Sequence, residues 1–307
     1  MYDLAIIGGG PGGIAAGIYA SRKQLKTVFI TKEWGGQSVV SPDIQNWVGT
    51  TSISGDELAK SLKSHLEAYA HDSVDIVPDS CVTSVEKING GYKVSLDKGD
   101  EYEAKKILVT AGAGRRKLDV LGADTFDQKG LTYCASCDGP LFSGQDVVVI
   151  GGGNAGFETA AQLLAYTKSV TLLNRSDIFK ADPVTVEKVL ANEKMTAITN
   201  AETTEIFGDK FVTGLKYKDV KTGEEKELAV TGVFVEIGLV PNTSFLGGLV
   251  EFDAVKRIKV DPRTQQSSQE GIWAAGDCSD GLYHQNNIAV GDAIKATEDI
   301  YNHLHTK

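Results

Sequence analysis

LAIIGGGPGGIAAGIYA, residues 4–20, returns later in the chain as VVVIGGGNAGFETAAQL, residues 147–163, with Gly8 and Gly151 in equivalent places. Each copy reads as a short apolar strand, then G-x-G-x-x-G, then a helix of small residues. Gly8 and Gly151 permit the tight turn, Gly10 and Gly153 let a pyrophosphate approach the backbone, and Gly13 and Gly156 let the helix pack closely on its strand. The helix starts, Asn154 in the second copy, offer free N–H groups and a positive dipole end to phosphates. One such pattern is weak evidence; two, each in a strand–turn–helix context, are strong. The fold class is therefore α/β, with two Rossmann-like dinucleotide-binding domains.

The layout implies that the second domain is inserted into the first. Residues 1–113 and 243–307 form one unit and 114–242 the other, with crossovers near Gly114 and Pro241 as hinges. The strand after the first fingerprint, KTVFI, is read as ending at Thr31 with no acid at its tip. Its counterpart SVTLLN ends at Asn174, followed by Arg175. Neither tip carries the Asp or Glu of a plain NAD site. In ISGDELAKSLKSHLEAY, Ser54 and Glu57 form a capping box and Leu58, Leu62, Leu66 and Tyr69 one apolar face, which makes a scaffold helix.

The chain has 307 residues, 41% of them hydrophobic and 23% charged, enough for two sizeable cores. A formal charge of −10 argues against nucleic acid or an anionic membrane as partner. No apolar run approaches the ~20 residues of a membrane span. The first strand begins within a few residues of Met1, leaving no room for a signal peptide, so the expected compartment is a reducing cytoplasm.

In LTYCASCDGPLF, residues 131–142, Cys134 and Cys137 are followed by Asp138. A structural zinc site wants further paired ligands. The other cysteines, Cys81 and Cys278, are isolated in sequence, so no metal is expected. A disulfide across two residues closes too small a loop to stabilise much. Electron transfer is the favoured reading: one thiolate attacks, the second resolves the mixed disulfide, and an adjacent carboxyl can shuttle the proton. Cys278 reads as a small buried residue, Cys81 as strand packing, and His284 as an ordinary surface histidine.

Taken together, these motifs, with GGQ at 35–37 and AAGDCSDG at 274–281, resemble the low-molecular-weight thioredoxin reductases, a class of pyridine-nucleotide disulfide oxidoreductases. The resemblance covers essentially the whole chain. It implies a homodimer in which FAD is held by Gly8, Gly10, Gly13, Thr31, Gly35, Gly36, Gln37, Asn46, Asp277 and Gln285. It assigns NADPH or NADH to the second fingerprint, Gly151, Gly153, Asn154 and Gly156, with Asn174, Arg175 and Lys180. Cys137 would face the flavin, Cys134 would attack the disulfide of a thioredoxin-like protein, and Asp138 would carry the proton. The chain departs from the family in NRSDIFKAD, residues 174–182, where His-Arg-Arg and a later Arg are usual. That departure implies only a weak NADPH preference. Two alternatives stay open: a flavin thiol–disulfide oxidoreductase drawing on ferredoxin or oxygen, and a non-catalytic flavin redox sensor.

Overall fold

Near-continuous apolar runs such as DVVVI and GVFV suit strands covered on both faces, the condition that parallel sheets impose. A computed structural model of the chain describes residues 1–41 and 43–305, without the side chain of Cys137. It divides into two units, Met1–Gly114 together with the chain from Val240 onward, and Arg115–Leu239.

The first unit contains β1 (Tyr2–Gly9), α1 (Pro11–Arg22), β2 (Thr27–Trp34), α2 (Gly55–Ala70), β3 (Val74–Val77), β4 (Val82–Ile88), β5 (Gly91–Leu96) and β6 (Glu101–Val109). The segment β7 (Ala113–Arg115) carries the chain out of it. Sheet order is β3-β2-β1-β6-β5-β4; β1, β2, β3 and β6 run parallel, and β5 pairs antiparallel with both β6 and β4. Leu4, Ile6, Phe29 and Leu108 bury one face of this sheet among α1 residues such as Ile14 and Ile18. Ala5, Ile7, Val28, Ile30, Ile107 and Val109 bury the other. A one-residue slip would exchange the two sets, so the pattern fixes the register.

The second unit repeats this construction. In order it contains α3 (Ala123–Phe126), β8 (Leu131–Thr132), α4 (Ala135–Asp138), β9 (Asp146–Ile150), α5 (Asn154–Leu163), β10 (Ser169–Asn174), α6 (Pro183–Leu190) and β11 (Met195–Thr199). A meander follows: β12 (Ala201–Gly208), β13 (Val212–Asp219) and β14 (Glu225–Ala229), then β15 (Gly232–Val235) and the returning segment β16 (Leu239–Pro241). The parallel sheet has the order β11-β10-β9-β15-β8. Val147, Val149, Leu172 and Phe234 pack with Phe157 and Ala160 of α5, while Val148, Ile150, Leu173, Val233 and Val235 pack with the meander. Back in the first unit, β17 (Ile272–Ala274) pairs with β6, and α7 (Asn286–His305) shares the helical-face core through Ala293, Ala296 and Ile300.

The capping box of α2 is present on both sides: Ser54 Oγ accepts from the Glu57 N–H at 3.2 Å, and Glu57 Oε2 accepts from the Ser54 N–H at 3.2 Å. Leu58 and Leu66 are buried beneath it, whereas Tyr69 is exposed and outside the core stripe. Ser54→Ala should lower the unfolding free energy by about 0.5–2 kcal/mol, because it orphans an N-terminal donor. The expected readout is a lower urea midpoint at unchanged slope.

Candidate functional site

The two fingerprint turns have the same geometry. Gly8 and Gly151 take φ of +123° and +127°, which only glycine adopts readily. A methyl at Gly13 would stand 1.8 Å from the Gly8 carbonyl oxygen, and one at Gly156 would stand 1.9 Å from that of Gly151. At Gly10 and Gly153, by contrast, an added methyl would meet nothing within 4 Å. The middle glycines therefore leave open space over a helix N-terminus, a cradle that fits a pyrophosphate in each unit.

In the first unit the Gly35 N–H donates to the Gly9 carbonyl at 2.8 Å, which lays GGQ against the fingerprint turn. Gly36 approaches Gly10, and Gln37 is exposed. Asn46 Nδ2 donates to Gln285 Oε1 at 3.0 Å, and Asn287 donates to the Asn46 carbonyl at 2.7 Å, so residues far apart in sequence close one amide cluster at the start of α7. Thr31 is buried, and its hydroxyl donates to the Glu33 carbonyl. The strand does not end there as expected: β2 continues to Trp34 and carries Glu33 at its tip. An acid about twenty residues past the fingerprint is the usual ribose partner, so Glu33 joins the candidates. The sequence signal was its distance from Gly13, obscured by ending the strand at Thr31.

His284 is exposed, as expected of a surface histidine, but it has partners. Its Nδ1 lies 3.4 Å from Asp277 Oδ1 and its Nε2 lies 3.2 Å from Arg257 Nη1. A guanidinium only donates, so Nε2 is the acceptor in the Arg257 contact, and Nδ1 is the nitrogen that faces Asp277.

In the second unit Asn174 is buried, and its Nδ2 donates to the carbonyls of Ser176 and Ile178 at 2.9 and 3.0 Å. The Lys180 N–H donates to the Gly152 carbonyl at 2.8 Å, and Asn154 Oδ1 accepts from the Asp182 N–H at 2.7 Å. NRSDIFKAD is thus a loop folded against the fingerprint. Arg175 is 79% exposed and stands 3.7 Å from Glu202, a loose pair in water. Beyond β15, Glu236 Oε1 accepts from Arg115 Nη1 at 2.6 Å and from Thr159 Oγ1 at 2.9 Å. Burial pushes the Glu236 carboxyl up, and Arg115 opposes that shift.

The cysteine box folds as the single turn α4, and Cys134, just before it, is disulfide-bonded. The side chain of Cys137 lies outside the described residues. Thr132, which sequence reasoning passed over, organises the box. Its buried hydroxyl accepts from the Cys134 N–H at 3.1 Å and donates to Asp138 Oδ2. Gly139 packs closely next: a methyl there would meet the Tyr166 hydroxyl at 2.1 Å, so that side chain would have to move. A cavity of about 350 Å³ opens beside Asp138 and Thr132, with Leu141, Phe142 and Phe211 in its wall. Leu141 is 73% exposed.

The family described as pyridine nucleotide-disulphide oxidoreductase matches residues 2–293. Among curated proteins, a Bacillus subtilis NADH dehydrogenase is 38% identical over 303 residues, and an alkyl hydroperoxide reductase component from Escherichia coli is 38% identical over 304. Each match takes in 99% of this chain and 58% of the relative, so the chain spans under three-fifths of their length. Among solved structures, Lactococcus lactis thioredoxin reductase superimposes with a TM-score of 0.92 at 33% identity over 100% of both chains. The thioredoxin reductase of T. acidophilum gives 0.88 at 38% identity, covering 99% of this chain and 98% of that one.

The remaining cysteines differ in accessibility. Cys278 is buried, its thiol donates to the Val109 and Ala275 carbonyls at 3.4 Å, and burial pushes its pKa up to about 11. Cys81 stands before β4 and is exposed, not packed within a strand as expected. A thiol reagent at pH 8 should therefore label Cys81 but not Cys278 in the native oxidised protein, and both after denaturation. Because folding raises the Cys278 value, its contribution to stability is full below about pH 9 and is lost as pH rises through about 11. Native labelling of Cys278 at the rate of Cys81 would refute this.

Proposed function

The chain belongs to the pyridine nucleotide-disulphide oxidoreductases, and on that premise we propose that it is an FAD-dependent disulfide reductase. In this reading it passes electrons from NAD(P)H through the Cys134–Cys137 pair to a thioredoxin-like protein, and it works as a homodimer. FAD, when bound, relays two electrons between the nicotinamide and the dithiol. The residues that would hold it are the Gly8-Gly10-Gly13 cradle, Gly35–Gln37, Glu33, Asn46, Asp277 and Gln285. The observation that carries the reading is the shared hold of Thr132 on Cys134 and Asp138.

The chemistry of the pair follows from thiol–disulfide exchange. The Cys134 thiolate attacks one sulfur of the partner's disulfide, forming a mixed disulfide and releasing the other sulfur as a thiolate. The Cys137 thiolate then attacks Cys134, which restores the intramolecular disulfide and releases the partner's second sulfur. Two electrons have left the pair and two protons are required on the product thiols at neutral pH. With Oδ2 of Asp138 engaged by Thr132, Oδ1 is the oxygen to exchange a proton. The cavity beside Asp138 and the exposed Leu141 give a partner side chain an apolar seat next to this chemistry.

A relative named NADH dehydrogenase, together with the loosely held Arg175, favours blunted nucleotide selectivity. Relatives named as components of alkyl hydroperoxide reductase favour a second acceptor, another component of an alkyl hydroperoxide-reducing system.

The purified protein should be yellow, with a flavin stoichiometry near one per chain. Cys134→Ser and Cys137→Ser should each keep the flavin and lose reduction of a thioredoxin-like disulfide by at least about a thousandfold. A colourless protein that cannot be reconstituted with FAD, or turnover surviving either substitution, rules the reading out. Arg175→Ala should lower the NADPH rate more than the NADH rate. If neither nucleotide bleaches the flavin anaerobically and reduced ferredoxin does, the ferredoxin alternative replaces this donor.

A further inference from the structure

The two units place different groups at one equivalent position. In the first, the Thr110 N–H donates to the Ile7 carbonyl at 2.8 Å, and the Thr110 carbonyl backs Gly8. In the second, the Glu236 N–H donates to the Ile150 carbonyl at 2.8 Å, and the Glu236 carbonyl backs Gly151. Thr110 turns its hydroxyl onto the Ile7 and Gly8 carbonyls at 3.0 and 3.1 Å. Glu236 instead reaches α5, where Thr159 occupies the place that Ala16 holds in α1. The first unit thus builds the same strand end with no charge.

A carboxylate with 8% of its side chain exposed is costly to bury, and Arg115 only offsets that cost. Since the fold forms without an acid at this place in the first unit, its retention in the second points to a ligand. The Arg115 and Thr159 contacts both converge on Oε1; Oε2 has no hydrogen-bond partner among the described residues.

The strand order locates that ligand. A dinucleotide lies across the carboxyl ends of the strands, its pyrophosphate at the β9–α5 turn and its adenosine over the following strand, β10. The other half then falls on the opposite side of β9, over β15, whose last residue directly precedes Glu236. We propose that Glu236, held by Arg115 and Thr159, recognises the nicotinamide half of the electron donor, with Oε2 accepting a hydrogen bond from the carboxamide or a ribose hydroxyl. This rests on the reading of the second unit as the nucleotide-binding one.

Isothermal titration of the oxidised holoprotein with NAD⁺ and with ADP, which lacks both the nicotinamide and its ribose, separates the two readings without turnover. In Glu236→Gln, Arg115 and Thr159 keep the amide oxygen, so an NH₂ donor replaces the acceptor at Oε2. NAD⁺ affinity should fall about ten- to a hundredfold, and ADP affinity should stay within about twofold. Nicotinic acid adenine dinucleotide distinguishes the donor: it should bind wild type as poorly as the variant if the carboxamide is read, and like NAD⁺ if a hydroxyl is. Thr159→Ala, which installs the alanine of the first unit, should weaken NAD⁺ a few-fold and spare ADP, and serves if Glu236→Gln is unstable. Equal loss of both ligands, or no loss of NAD⁺ affinity, overturns the proposal. Failure of wild type to bind either NAD⁺ or ADP at all overturns the nucleotide reading beneath it.

Discussion

A helix can sit over the end of its strand here only because two glycines touch. Gly13 comes so near the Gly8 carbonyl that no side chain fits between them, and Gly156 meets Gly151 in the same way. This contact sets the distance between α1 and β1 and between α5 and β9, and with it the aim of each helix N-terminus. The open space at Gly10 and Gly153 is the other side of that constraint. Close packing below the turn and room above it make a strand end into a phosphate cradle, and both sheets are arranged around the two turns.

Around this shared frame the two units diverge through polar contacts, not through the core. Both cores alternate aliphatic side chains across a parallel sheet, and neither pattern distinguishes one ligand from another. The differences lie at the strand ends. Thr110 closes onto its own turn, whereas Glu236 is drawn to Arg115 and Thr159. The tip of β2 carries Glu33, whereas the tip of β10 carries Asn174, whose amide is spent on its own loop. Polar groups at strand ends can specialise in this way because the hydrophobic burial beneath them already holds the fold.

The cysteine box follows the same economy of means. One buried hydroxyl, Thr132, meets both the backbone of the first cysteine and the carboxyl of the acid that follows the second. A neutral hydroxyl thus holds a carboxyl beside a disulfide-forming residue. The single turn α4 and the close approach of Gly139 to Tyr166 make that geometry local.

By itself the sequence determined the fold class, the doubling of the fingerprint, the capped helix α2 and the cysteine pair. Each of these is written in contiguous residues, where period, turn chemistry and spacing act over a few positions. It also made Asn46 and Gln285 candidates, through family resemblance, without revealing that they bond to each other. Only the tertiary structure decided that β2 runs on to Glu33, that Cys81 is exposed, that His284 leans on Asp277, and that Thr132 grips Asp138. Only there does Glu236 meet Arg115 and Thr159, residues 121 and 77 positions away. A side chain's hydrogen-bond partner depends on which strand ends the sheet order brings together, and no local pattern in the chain encodes that meeting.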